Sequence, residues 1–202
     1  MKNFIPLLFD LKMNESEWVA VLPSKEEKRE LQRKIQKIIN ELEKFVSETG
    51  VKAKIVPVGS TAKYTFLKGS SDIDIFIVSD SYQDLFNLVK YFKPSGKVKR
   101  GELLIWNYRD GTYDVDLVFV PPKHPRIETL KHTEFYNKHL TDKMRDEVRK
   151  AKAFFRSHGV YKAEIGGITG VAIEELIRQK KTFENLCRYI ASHDLEDVWL
   201  QD

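Results

Sequence analysis

An α+β fold is predicted, with a mixed sheet and helices in the first part of the chain and helices alone in the second. Three observations predict it. One long amphipathic period lies near the start, β-rich runs bounded by turn residues follow it up to Val120, and beyond Pro125 only helical periods remain. The boundary falls at that change, giving one domain over residues 1–124 and another over residues 125–202.

The elements follow in order. Residues 1–22 carry Trp18, Val19, Val21 and Leu22 and read as a packed arm. Ser24 stands three residues before Glu27, the spacing of a capping box. Leu31, Ile35, Ile38, Ile39, Leu42, Phe45 and Val46 then recur at helical spacing, and Gly50 sits where a helix stops. Residues 51–58 are β-rich and end at Gly59-Ser60, and residues 60–66 fit a short helix. Residues 73–78 read as a strand, and residues 81–92 as an amphipathic helix closed by Pro94-Ser95-Gly96. Two more strands are expected over 97–106 and 112–120, with a turn at Asp110-Gly111. Pro121-Pro122 ends the sheet region. Helices are expected over 142–158, 169–180 and 182–192. In the first of these the acids come early and the bases late, as the helix macrodipole favours, and His158 supplies a cation at its end before Gly159.

Composition narrows the class. Of 202 residues, 42% are hydrophobic, enough for a real core, and the formal net charge is only +4. That charge is unevenly placed. Between Pro121 and Ile165 lie eleven Lys/Arg against six Asp/Glu, a balance suited to phosphates or RNA backbone, or equally to a solvated helix surface. Cys187 is the single cysteine, which excludes an intramolecular disulfide and fits a reducing compartment. The apolar run at residues 4–9 contains Pro6 and ends at Asp10, a poor signal peptide, and no run is long enough to span a bilayer. A soluble cytoplasmic protein without a membrane partner is expected.

The chemistry concentrates in residues 59–76. Asp72 and Asp74 are two apart on a strand, so both carboxylates point to one face while Ile73, Ile75 and Ile77 take the other. Carboxylates so close repel unless a cation is shared, and hard oxygen ligands favour Mg²⁺. The strand over 112–120 offers a third acid, Asp114 or Asp116, the latter flanked by Val115 and Leu117. Three such acids on neighbouring strands suit two Mg²⁺ ions and in-line phosphoryl transfer. Gly59 lets the backbone come close to a ligand, a helix begun at Ser60 would aim N–H groups at phosphate oxygens, and Lys63 adds a charge one turn on.

These residues resemble the nucleotidyltransferase superfamily pattern, Gly-Ser followed by acid-x-acid. Gly59-Ser60-Thr61-Ala62-Lys63, Thr65-Phe66-Leu67-Lys68-Gly69-Ser70, Asp72-Ile73-Asp74 and Val115-Asp116-Leu117-Val118 resemble motifs of the archaeal, class I CCA-adding tRNA nucleotidyltransferases. Thr133-Glu134-Phe135, Gly159-Val160-Tyr161 and Gly167-Ile168-Thr169-Gly170 continue the likeness over roughly residues 20–190. The resemblance implies a polymerase-β-like nucleotidyltransferase head followed by a helical neck domain. It implies Asp72, Asp74 and Asp116 as catalytic and metal-binding acids, with Asp116 nearest the attacking ribose hydroxyl. It further implies that Gly59, Ser60, Lys63, Thr133, Lys152 and Tyr161 contact nucleotide, with Tyr136 where the family usually has a His near it. The implied substrates are ATP and CTP, the implied partner is RNA, chiefly the tRNA acceptor end, and the implied activity is CCA addition.

Lys63 stands where the family has Arg and loses the bidentate fork. Family members also continue into body and tail domains, so a minimal or split enzyme is expected, with a second subunit as one source of the remainder. Two other readings use the same residues. One is a different transferase on the same head, such as an oligoadenylate or cyclic-nucleotide synthase or an enzyme that nucleotidylates protein or RNA. The other is a non-catalytic nucleotide-binding subunit.

Overall fold

The computed structural model describes residues 20–69, 72–92, 95–99, 101, 103–161 and 167–192. Most of the expected N-terminal arm, with Trp18 and Val19, lies outside the described residues, as does Ser70. The described residues divide into two compact units, one of them Ser24–Lys138 and the other holding the helices from His139 onward. The helix Glu128–His139 therefore falls with the sheet rather than with the helices that follow it.

The first unit opens with α1, Lys25–Thr49. Both halves of the capping box form: the Ser24 hydroxyl accepts from the Glu27 N–H at 3.1 Å, and the Glu27 carboxylate accepts from the Ser24 N–H at 2.7 Å. Gly50 ends the helix at φ 70°, a left-handed conformation that costs glycine nothing. All seven apolar residues expected on one face reach the core.

Five strands follow: β1 (Lys54–Val58), β2 (Asp72–Val78), β3 (Lys97–Lys99), β4 (Leu104–Asp110) and β5 (Tyr113–Val120). Their order in the sheet is β1-β2-β5-β4-β3, with β2 and β5 parallel and every other pair antiparallel. A single turn, α2 (Gly59–Ala62), joins the end of β1 to the segment before β2, and α3 (Tyr82–Phe92) leads from β2 towards β3.

The stretch 97–106, expected as one strand, is two. Residues 97–99 and 105–107 pair with each other, Val98 opposite Trp106. The Trp106 ring is buried edge-on to Phe86, and a side chain at Gly96 would place its Cβ 1.8 Å from the indole nitrogen, so only glycine admits this packing.

The two faces of the sheet differ. Ile73, Ile75, Ile77, Val115, Leu117 and Phe119 are wholly or almost wholly buried beneath α1 and α3. At about 1.5–3 kcal/mol per large side chain removed from water, these central strands are the chief source of stability. On the opposite face Phe76, Val118 and Val120 pack with Leu130 of α4 (Glu128–His139) and with Ile127 of a 3₁₀ turn, Pro125–Ile127.

The second unit holds α5 (Asp142–Ser157), α6 (Gly170–Lys180) and α7 (Phe183–Ser192). Thr141 and Thr169 cap the first two through their hydroxyls. His158 ends α5, its Nδ1 2.8 Å from the Phe154 carbonyl. Among the described residues no helix is long and apolar enough to cross a membrane.

Candidate active site

The parallel pairing of β2 with β5 makes the site. Asp72 stands opposite Asp114 and Asp74 opposite Asp116, so the alternation of each strand sets four carboxylates on one sheet face. Their neighbours Ile73, Val115 and Leu117 are fully buried on the other face and fix the register. A slip of one residue would exchange acids for core.

Each acid has a different environment. Asp72 is exposed at the start of its strand. Asp74 is half-buried, and its carboxyl is pushed up to about 6, first by burial, then by the charges of Asp116 and Asp72, with Arg126 and Lys99 opposing the rise. Asp116 is held by its neighbours: Asn107 of β4 donates to its Oδ1 at 2.7 Å, and the Lys99 ammonium lies 3.6 Å from the same oxygen. Among the described residues no three His, Cys, Asp or Glu side chains are gathered into a ready metal cage. The donor set nevertheless suits a hard divalent cation. It is all oxygen, and the crowding that raises Asp74 is relieved by a shared positive charge.

Gly59 completes this side of the site. It follows Val58, which pairs with Asp74, and adopts φ 76°. A Cβ there would come within 2.5 Å of Asp74 Oδ2. The expected helix over 60–66 is a four-residue turn, Gly59–Ala62, too short to carry a useful macrodipole. Gly59 thus serves by leaving room beside the carboxylate.

Lys63 is not a solvent-facing cation. It is buried, with its ammonium 5.5 Å from the centroid of the Tyr136 ring. Asn137 donates to the Ala62 carbonyl at 3.1 Å, tying α4 to the same turn. Thr133 is buried one turn before Asn137 and donates to the Thr129 carbonyl. The structure therefore brings Lys63 and Tyr136 together.

Lys152 and Tyr161 belong to the second unit. Lys152, open to reading as a solvated lysine from sequence, is almost fully buried and bonded at 3.0 Å to Glu174, itself 1% exposed. A Cβ on Gly170 would lie 3.3 Å from the Tyr161 hydroxyl and 3.4 Å from Lys152 Cε, so these side chains share one cluster. Glu174, Asn107, Lys99 and Arg126 were not foreseen. Glu174 alone left a trace, an acid beside Ile173 on the apolar stripe of α6.

The family described as Nucleotidyltransferase domain matches residues 33–156. A CCA-adding enzyme of Thermoplasma acidophilum is 35% identical over 185 residues, covering 84% of this chain and 43% of the relative. A second from Thermoplasma acidophilum is 34% identical, covering 84% of this chain and 83% of the relative. One from Pyrobaculum islandicum is 31% identical, covering 81% of this chain and 43% of its own length. The chain thus spans about four-tenths of the first and third relatives. Among solved structures, a cytoplasmic RNA terminal U-transferase superposes with TM-score 0.61 at 15% identity, over 88% of this chain and 52% of that one. An E. coli CdnC bound to ATP superposes with TM-score 0.60 at 19% identity, over 81% of this chain and 63% of that one. At such identities the likeness is one of fold.

Proposed function

Since the chain belongs to the nucleotidyltransferase domain family, we propose that it adds nucleotides from CTP and ATP to an RNA 3′ end, as CCA addition to tRNA. The observation that carries this reading is the register that sets Asp74 beside Asp116, with Asp72 on the same face.

In the proposed reaction a terminal ribose hydroxyl attacks the α-phosphorus of the triphosphate. The α–β bridging P–O bond breaks, pyrophosphate leaves, and the hydroxyl proton passes to solvent water. Asp72, Asp74 and Asp116 would hold Mg²⁺, which when bound supplies charge to the triphosphate and acidifies the hydroxyl. Asp116 faces the acceptor hydroxyl, and Asn107 fixes the carboxylate by occupying its Oδ1. Gly59 admits the reacting groups beside Asp74. Thr133, Lys63 and Tyr136 form one wall for the triphosphate, and the family resemblance gives Lys152 and Tyr161 as further nucleotide-contacting residues. The sheet-bearing unit, Ser24–Lys138, takes the role of catalytic head, and the helices that follow it take that of the neck.

The test is incorporation of labelled CTP and ATP into tRNA lacking its CCA end, with Mg²⁺. Ordered addition of C, C and A supports the reading. Asp74→Ala and Asp116→Ala should each lose transfer while keeping the fold, and activity surviving both changes would end the metal-site reading. Product formed from triphosphates alone, with no RNA extended, would favour a synthase on the same head.

A further inference from the structure

Alternation along the strands places a second feature on the acid-bearing face. Asp72, Asp74 and Phe76 share one side of β2, and Asp114, Asp116, Val118 and Val120 share one side of β5. Phe76, Val118 and Val120 are covered by Ile127 and Leu130. The 3₁₀ turn and the start of α4 therefore lie over the same face as the carboxylates, further along the strands. An open pocket of about 740 Å³ is cut into this cover, lined by His124, Pro125, Arg126, Glu128, Thr129 and His132.

We propose that this pocket seats the sugar–phosphate backbone of the acceptor RNA's 3′ end, an inference that rests on the RNA-extending reading above. Arg126 supplies the charge. It lines the pocket one residue before Ile127, which packs on Phe76, Val118 and Val120, so an anion bound there lies over the acid-bearing face. His124 supplies a donor. Its Nδ1 accepts the Arg126 backbone N–H at 3.1 Å, which leaves the proton of the neutral ring on Nε2. Thr129 adds a hydroxyl, and the His132 imidazole offers a flat face of the kind on which unstacked bases settle. Glu128, the one carboxylate in the lining, is paired at 2.7 Å with Lys131.

One guanidinium, two imidazoles and a hydroxyl in an open hollow suit a chain bearing one charge per nucleotide rather than a compact triphosphate. The triphosphate wall lies elsewhere along α4. Tyr136 and Asn137, one turn beyond His132, meet Lys63 and Ala62. Acceptor and nucleotide would thus be carried by successive turns of one helix.

The experiment measures binding directly. A fluorescein-labelled single-stranded RNA with the sequence of a tRNA 3′ strand lacking CCA is titrated by anisotropy across a salt series. A fluorescent ATP analogue is titrated in parallel. Arg126→Ala should weaken RNA binding about tenfold and reduce the salt slope by about 0.7, the value for one single-strand phosphate contact. His132→Ala should weaken RNA binding by a smaller factor with the slope unchanged. ATP affinity should stay within about twofold in His132→Ala and fall by a smaller factor than RNA affinity in Arg126→Ala, since neither side chain is in the triphosphate wall. Unchanged RNA affinity in both variants, no RNA binding by the unaltered protein, or ATP affinity falling in step with RNA affinity would each overturn the assignment. Because binding is read without turnover, the two ideas fail separately. RNA binding lost in Arg126→Ala, with no nucleotide addition by the parent protein, upholds the pocket and removes the transfer reading. CCA addition with unaffected variants does the reverse.

Discussion

Asp74 links the chemistry of the site to its stability through a single proton. Its ordinary value of 3.8 is raised to about 6 in the fold. The folded state therefore binds more protons than the unfolded state between those values, and folding is weakened as pH rises through them. A shift of this size corresponds to about 3 kcal/mol above pH 6. Asp74→Asn, which removes the charge, should raise Tm in EDTA at pH 7 and leave it nearly unchanged at pH 4. A flat difference across that range would show that Asp74 is not destabilised by its neighbours. Gly59→Ala tests the same carboxylate from the other side. The left-handed backbone costs a non-glycine residue about 1–2 kcal/mol, and the added methyl also meets Asp74 Oδ2 at 2.5 Å. We expect a Tm loss in urea or heat together with loss of transfer, where a purely structural glycine would cost only the former. The sequence exposed Asp72, Asp74 and Gly59 because their spacing is local, and Asp116 because it interrupts an apolar strand between Val115 and Leu117. It could not expose Asn107, Lys99 or Arg126, whose roles arise from strand register and from the fold of distant segments.

At the scale of elements, α1, β2 and β5 were legible because each carries an uninterrupted period and, for α1, a complete set of stop and start signals. The hairpin of β3 and β4 was not. Val98 and the apolar run from Leu103 to Trp106 were read as one strand across the charged residues between them, and Gly101 is the sole described residue of the connection that signals a turn, so one strand was expected where two lie side by side. The α5–α6 contact was likewise hidden, because a lysine and a glutamate 22 residues apart give no local sign of pairing. Breaking such a buried pair from one side costs about 3–5 kcal/mol. Glu174→Leu should therefore lower stability in urea by about that amount. Adding Lys152→Met should recover most of it, while nucleotide affinity falls with the loss of the ammonium. Equal stability of the single and double variants would show that the pair is not coupled.

For the whole molecule, reaction class was readable because it rests on motif order, and the pocket proposed for the acceptor was not, because it rests on which segments the fold lays over one sheet face. A ligand that binds only the folded chain stabilises it by mass action, about 2.7 kcal/mol at a hundredfold excess over Kd. CTP or ATP with Mg²⁺ should raise Tm, EDTA should abolish the rise, and Asp74→Ala or Asp116→Ala should show little of it. A rise with triphosphate that persists in EDTA would separate nucleotide binding from the carboxylates. The parallel pairing of β2 with β5 carries a consequence for biosynthesis. The two strands are adjacent in the sheet, yet α3, β3 and β4 lie between them along the chain. Asp74 gains its partner only after β5 has left the ribosome and docked. On the proposed assignment of Asp74 and Asp116, a nascent polypeptide still lacking that strand would have no catalytic centre and would stay inert towards cellular nucleotides up to that point in its own translation.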